Sequence, residues 1–340
     1  MPTTVSDPGQ IVTLAHGNGG RLTRGLIDGI FAPLFDRHLD TRVDAAAVPA
    51  GEDEGDWLIT TDGFTVEPLE FPGGNIGSLA VHGTINDLAV SGAVPRWLSL
   101  NLFIEEGLEI AVLERIARSI ADACAESGVG ILAGDTKVVR RGQGGGLYLA
   151  TTGLGRRPAG IKLGPDLVRP GDVIVVSGTL GDHGAAVMLA REQFGLAGDL
   201  RSDCASVLPA TTILLRHVGL RFMRDPTRGG LATVAHDVAS ATGWSVRLFE
   251  EKLPLRREVA GVCEILGYDP LYLASEGRVA AILAPDAADE VVASLRAGGF
   301  TEASTVGLVE LGNPQVILQT TLGGERLIPE LEAEPLPRIC

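Results

Sequence analysis

FPGGNIGSLAVHGTINDLAVS, residues 71–91, is the stretch on which the fold turns. Phe71-Pro72-Gly73-Gly74 reads as a turn, since proline fixes one backbone angle and glycine frees the next. Asn75 to Ser91 then reads as a helix. It carries Asp87 among small residues, one turn after Gly83. Upstream, Trp57 to Thr61 reads as a strand closing on Asp62-Gly63, and an amphipathic helix from about Leu22 to Phe35 follows the glycine loop His16-Gly17-Asn18-Gly19-Gly20. Downstream, Arg96 to Phe103 alternates like a strand, and Leu108 to Ser127 has the 3.6-residue apolar period of a helix stopped by Gly128. Val129 to Ala133 and Leu147 to Thr152 read as short strands, with Gly142 to Gly146 as a flexible hairpin tip between them.

Arg156-Arg157-Pro158 to Pro170 reads as a linker, after which the pattern restarts. Strands are expected at 172–177, 244–249, 278–283, 304–310 and 315–320. Helices are expected at 182–194, 206–218, 229–241, 256–266 and 286–297. Such a mixture, with antiparallel neighbours expected, is α+β. The division predicted is an arm and helix over 1–40, a domain over 41–157, a second α+β domain over 158–328 and a tail over 329–340.

Composition narrows the function. A chain of 340 residues with 45% hydrophobic side chains has room for two cores. No apolar run reaches the roughly 18 residues of a membrane span, and Met1 to Gln10 lacks the pattern of a secretory signal, so the cytoplasm is the expected location. A formal charge of -15 repels phosphate backbones and argues against nucleic acid. Cys124, Cys204, Cys263 and Cys340 form no CxxC pair, which argues against zinc and a disulfide framework. Glycine, 45 of 340 residues, is nearly twice its usual share of about 7%, as in chains with many tight turns or ligand-hugging loops.

No GxxxxGK[ST] sequence and no GxGxxG after a strand is present, so a nucleotide needs another design. Three acidic positions suggest one: Asp62 after a strand, Asp87 on the helix, and Asp135 in Ala133-Gly134-Asp135-Thr136-Lys137. Mg²⁺ takes one or two carboxylates plus phosphate oxygens. Taken singly, each aspartate reads equally well as a turn or helix cap. Asp225-Pro226-Thr227-Arg228-Gly229-Gly230 opens a helix, where free N–H groups suit an anion, although Asp before Pro is also an ordinary helix start. Ser177 to Gly184 has similar chemistry, with His183 as a turn residue. Lys137 is placed to offset phosphate charge or is a plain surface lysine. Glu276, in a loop before a strand, is a base or a solvated carboxylate. His82, one turn before Asn86, reads as packing or a hydrogen bond and not as catalytic.

The last residues, Glu-Leu-Glu-Ala-Glu-Pro-Leu-Pro-Arg-Ile-Cys from Glu330 to Cys340, favour an extended arm. From Glu332 to Cys340, at about 3.1 Å per residue, it spans roughly 25 Å. A thiol on such an arm is better read as a handle than as a frayed terminus, because an exposed free cysteine is otherwise a liability.

These residues carry a resemblance. Thr61 to Val66, Pro68-Leu69, Phe71 to Gly74, Gly83-Thr84-Ile85-Asn86-Asp87-Leu88-Ala89, Ala133 to Val139, Asp225 to Gly230 and the ending Pro337-Arg338-Ile339-Cys340 resemble the HypE family of hydrogenase maturation factors. The middle motifs are shared with the aminoimidazole ribonucleotide synthetase and selenophosphate synthetase superfamily, whereas the ending points to HypE. Gly63, where serine is expected, and Asn18 in the early loop are departures. The resemblance implies the superfamily's two-domain α+β fold, with mixed, mostly antiparallel sheets, and a homodimer with ATP and Mg²⁺ in the N-terminal-domain cleft. It implies that the carbamoyltransferase HypF loads Cys340, that the carbamoyl group is dehydrated to a thiocyanate, and that the cyano group passes to iron held by HypC and HypD. Asp62, Asp87, Asp135 and Asp225 are the metal candidates. Asn86, Gly134, Thr136, Lys137, Gly229 and Gly230 join them at the nucleotide, with Cys340, Lys137 and Glu276 catalytic. An ATP-dependent synthetase acting on a free amide or acid, and a non-catalytic ATP-binding scaffold, are the alternatives.

Overall fold

In the computed structural model, which describes residues 20–26, 45–48, 55–191 and 199–331, the chain opens with α1 (Arg21–Leu26) and β1 (Ala46–Val48). β2 (Asp56–Phe64), the short pair β3 (Glu70–Phe71) and β4 (Gly74–Asn75), and α2 (Ile76–Val90) follow. Next come β5 (Val94–Glu105), α3 (Ile110–Ser127), β6 (Gly130–Val139) and β7 (Leu147–Arg157). The second half holds β8 (Val173–Val176), α4 (Asp182–Ala190), α5 (Leu208–Leu214), β9 (Leu220–Arg224), α6 (Gly230–Thr242), β10 (Ser245–Phe249) and α7 (Arg257–Leu266). It ends with β11 (Ala280–Leu283), α8 (Ala288–Ala297), β12 (Ser304–Glu310), β13 (Val316–Gln319) and β14 (Glu325–Ile328).

α2 starts where the sequence places it because Asn75 caps it. The Asn75 side chain accepts the Gly77 and Ser78 N–H groups, and the Ser78 hydroxyl meets the Asn75 N–H at 3.1 Å. The helix is buried on nearly all sides. Its first turns pack under a five-stranded sheet ordered β1-β2-β7-β5-β6. Gly83 lets it approach β2, since a Cβ there would stand 2.8 Å from the Phe64 ring. Its last turn, Ala89 and Val90, belongs to a second core with Val175, Leu214, Met223, Ala281 and Leu295.

That second core lies on one face of a seven-stranded sheet ordered β14-β13-β10-β12-β8-β11-β9, and α6 packs on the other face through Leu231, Val234 and Val238. The five-stranded sheet is covered on one face only. On its open face Ile59, Trp97, Phe103 and Tyr148 are all more than a third exposed.

The architecture is α+β, as read from the sequence, with several local corrections. β2 runs through Phe64, so Asp62 sits within a strand rather than after one. β6 runs to Val139, so Asp135 is likewise mid-strand. It is an edge strand with little buried surface, so alternation did not betray its length. β7 reaches Arg157, taking in the two arginines assigned to the linker. Gly142 to Gly146 is no hairpin tip: β6 and β7 flank β5 on opposite sides, and the loop crosses its end, held by the Glu105 carboxylate on the Gly142 and Gly146 N–H groups. β5–β6 and β10–β13 are parallel. β9 and β14 were not foreseen, and the helix expected over 206–218 stops at Leu214. Asn18, most of the helix expected over 22–35, and Cys340 with the tail from Glu332 lie outside the described residues.

Candidate functional site

A cavity of about 300 Å³ opens between the two sheets, and both halves of the chain line it. From the first half come Thr60 and Asp62 on the helix-facing side of β2, and Asp87 on α2. The Thr60 hydroxyl donates to Asp87 Oδ2 at 2.8 Å, tying strand to helix at the cavity wall. Asp62 Oδ1 accepts the Gly63 N–H at 2.8 Å. From the second half come Arg224 at the end of β9, then Asp225, Thr227 and Arg228 in the turn into α6, Asp237 on α6, and Glu276 from the loop before β11. Arg228 reaches across to Asp62 at 3.5 Å, a charged contact between the halves at this wall.

Burial sets the electrostatics. Glu276 is 5% exposed, and its pKa is pushed up to about 8, first by burial and then by the negative charges of Asp225, Asp203 and Asp62. Its loop is held from behind. The Glu276 N–H donates to Asp203 Oδ1 at 3.1 Å, the Ser275 N–H to Pro226 O, and Ser275 Oγ accepts the Gly181 N–H. Burial also raises the pKa of Asp62, with Arg228 offsetting part of the rise. Asp237 is raised by burial against the pull of Arg224 and Arg24. A cavity rich in partly desolvated carboxylates, with arginines at its rim, suits a polyanion that arrives with its own cations.

Four of the expected residues therefore meet: Asp62, Asp87, Asp225 and Glu276 share one cavity. Among the described residues no three carboxylate, histidine or cysteine side chains are arranged to hold a metal ion by themselves. The donor set still fits Mg²⁺, which takes one or two carboxylates and fills its shell with water and phosphate oxygens.

The others lie elsewhere. Asn86 is buried and clamps the halves: its amide nitrogen donates to Ala205 O at 3.0 Å and Glu276 O at 3.3 Å, and its oxygen accepts the Val207 N–H. It holds the Glu276 loop without lining the cavity. Gly229 and Gly230 both have positive φ, 72° and 57°. Gly230 is required by packing, since a Cβ would run into the Leu271 and Leu273 carbonyls, and its N–H is used on Thr227 O. Gly63 meets nothing within 4 Å of an added Cβ, so serine would fit there as well.

Gly134, Asp135, Thr136 and Lys137 are exposed on β6 and do not line the cavity in one chain. The register aligns Asp62 with Thr151, Leu100 and Gly134, three strands across, roughly 14 Å at 4.8 Å per strand. Asp135 and Lys137, paired with Asn101 and Phe103, point from the opposite, open face. The single-chain convergence of Asp62, Asp87 and Asp135 expected from sequence is thus not formed. Sequence reading passed over Thr60, Arg224, Arg228 and Asp237. Thr60 carried a signal: a polar residue at an inward position of an alternating strand.

The turn Ser177 to Gly184 is structural. Asp182 is fully buried and held by Thr179 Oγ1 at 2.5 Å, by Arg256 Nε at 3.0 Å and by Arg278 at 3.6 Å. His183 packs edge-on to Phe71, bonds Ser202 Oγ at 2.8 Å, and has its pKa lowered to about 3 by burial.

Comparison with known proteins gives this geometry a context. Residues 43–157 match the AIR synthase related protein N-terminal domain, and residues 169–318 match the C-terminal domain. The chain is 46% identical over 97% of its length to the carbamoyl dehydratase HypE of Rhizobium leguminosarum bv. viciae, covering 95% of that protein. It is 42% identical to that of Escherichia coli, over 97% of this chain and 99% of the relative. Among solved structures, a HypE–HypF complex superposes with a TM-score of 0.83 at 36% identity, covering 89% of this chain and 99% of the other. A HypE bound to ATP does so with 0.79 at 39%, covering 97% and 100%.

Proposed function

The chain belongs to the AIR synthase-related family and, within it, to the HypE carbamoyl dehydratases, and on that footing we propose that it uses ATP to dehydrate an S-carbamoyl group carried on Cys340 to a thiocyanate, the source of cyanide ligands for a NiFe hydrogenase iron centre. The observation that carries the reading is the cavity itself, where Asp62 and Asp87 of one half face Asp225, Arg228 and Glu276 of the other.

The chemistry balances. The carbamoyl oxygen attacks the γ-phosphorus, the bond from that phosphorus to the bridging oxygen breaks, and ADP leaves. Loss of one N–H proton gives an imidate carrying phosphate on oxygen. The C–O bond then breaks, phosphate departs, and loss of the second N–H proton completes the nitrile. One proton stays with phosphate and one is released. Phosphoryl transfer needs positioning and neutralised charge more than covalent help. Arg228 and Arg224 supply fixed positive charge at the cavity. We assign proton removal to Glu276, which must be ionised for it. Asp62, Asp87 and Asp225 would hold Mg²⁺, which when bound neutralises phosphate charge. Tethering raises the effective concentration of the carbamoyl group.

HypF is the partner that loads Cys340, and the HypC–HypD complex receives the cyano group. A homodimer formed on the open sheet face would cover Trp97, Phe103 and Tyr148, and would set Asp135 and Lys137 against a second copy. The domains are those read from the sequence, 41–157 and 158–328. A cytoplasmic location accords with the free thiols of Cys124, Cys204 and Cys263. No helix among the described residues is long and apolar enough to cross a membrane.

Peptide-level mass spectrometry, after incubation with a carbamoyl donor, HypF and ATP, tests the reading. The adduct is expected on Cys340 and loses one water only with ATP, and Cys340→Ser is expected to bind ATP and carry nothing. An adduct on another cysteine, or equal dehydration in the serine variant, would overturn it.

A further inference from the structure

Chain ends usually fray, yet the last four described residues, Ile328 to Leu331, are each tied down. The His236 ring donates from Nε2 to Ile328 O at 3.0 Å. The Tyr272 hydroxyl donates to Pro329 O at 2.6 Å. Arg24 pairs with the Glu330 carboxylate, and the Arg21 N–H donates to Leu331 O at 3.2 Å. The ties come from three separate elements: α6, the turn Pro270–Tyr272 and α1.

The same ties reach the cavity wall. Arg24 also pairs with Asp237 at 2.8 Å, and Asp237 pairs with Arg224 at 2.9 Å. Asp237 and Arg224 both line the cavity. Leu331 lies against Gly229, where an added Cβ would stand 3.0 Å from Leu331 Cδ1, at the turn that supplies Thr227 and Arg228.

We propose that Arg24 of α1 and Tyr272 are positioning residues that fix the root of the C-terminal segment, Ile328 to Leu331, beside the ATP cavity, so that the chain leading to Cys340 leaves from a set point at the wall. The inference rests on Cys340 being the carrier. Nine residues follow Leu331, a reach of at most about 30 Å. A root at the wall places the cavity well inside that reach. Releasing the root lengthens the tether between the wall and Cys340 and dilutes the thiol at the site.

The test compares two routes to the same chemistry. In the first, full-length chain loaded on Cys340 is mixed with ATP and the first-order loss of water is followed. Arg24→Ala with Tyr272→Phe is expected to slow it by roughly three- to tenfold, and Tyr272→Phe alone, which removes only one hydroxyl, by less. In the second, full-length Cys340→Ser chain, with and without the same two changes, receives a synthetic peptide of residues 332–340 carbamoylated on its cysteine. Here the rate and the ATP Kd are expected to stay the same. An unchanged tethered rate overturns the anchor. Equal slowing by both routes also overturns it, because the ties would then be shaping the cavity and not placing the tail. A parental chain that loads but never dehydrates its adduct sinks the functional reading itself, and that control separates the two failures.

Discussion

Two turns in the second half look alike on paper: Ser177 to Gly184 and Asp225 to Gly230. Each has an aspartate, two or more glycines and a helix to follow. In the first, the polar groups turn inward to the fold. Asp182 is fully buried against Arg256 and Arg278, and the Gly181 and Gly184 N–H groups are bonded to Ser275 Oγ and Ala274 O. In the second, Asp225, Thr227 and Arg228 face a cavity. Local sequence sets the kind of turn, while what stands in front of it decides whether its polar groups serve a ligand or the fold. The first turn is the support of the second, since both grip the loop that carries Glu276.

Asp87→Asn and Asp225→Asn should break this contrast hardest on the cavity side. Each removes a charge that a cation with bound phosphate needs, and turnover of ATP is expected to fall by roughly a hundredfold or more, with circular dichroism unchanged. In the supporting turn, Asp182→Asn should cost stability instead. Losing one partner of a buried ion pair is worth about 3 kcal/mol, seen as a melting temperature lower by several degrees in calorimetry, with turnover at 25 °C falling far less than in the cavity variants.

Acid and base separate the turns again. Glu276 acts only when ionised, and burial and the neighbouring carboxylates push its pKa up to about 8, so the dehydration rate should climb as pH rises toward that value. A bound cation shifts the rise to lower pH. Glu276→Gln should be slow and flat in a quenched single-turnover pH series. His183 is shifted in the opposite direction, and its effect is on stability. Its folded pKa of about 3 lies below the ordinary value of about 6.5, so between the two the unfolded chain binds the extra proton. Stability should therefore drop as pH falls through that window, and His183→Asn should flatten the drop in urea titrations.

A smaller effect belongs to Thr60→Val. It removes the bond to Asp87 and should cost about 1 kcal/mol, or roughly fivefold in turnover, with little change in melting. The smallest is expected at the tail. Deleting Leu336 to Cys340 should leave the melting temperature nearly unchanged, and a large drop would mean those residues pack.

The fold was legible where the chain punctuates itself. Asn75 and Gly128 mark helix ends in sequence and in structure. It was less legible in β6 and β14, edge strands with little to bury, and in β9, a short strand whose partner β11 lies far along the chain. Of the site, Asp62, Asp87, Asp225 and Glu276 were found because acidic residues beside glycines at turns and on a helix of small residues are chemically conspicuous. Thr60, Arg224 and Asp237 were not, because their roles depend on a cavity that exists only once the two halves of the chain come together. Asn86 was named through the family resemblance, and its three bonds to loop backbone, which clamp the two halves, could not be read from the sequence.

The two cores share a helix, and this governs how the molecule comes apart. α2 gives its early turns to the first sheet and Ala89 and Val90 to the second. A protease cutting between Pro158 and Pro170 would nick the backbone without freeing either half, because release means pulling the end of α2 out of a dry interior. Heating should give one calorimetric peak whose van't Hoff and calorimetric enthalpies agree, and a recombinant fragment ending at Arg157 should precipitate, with its last helical turn stripped of cover.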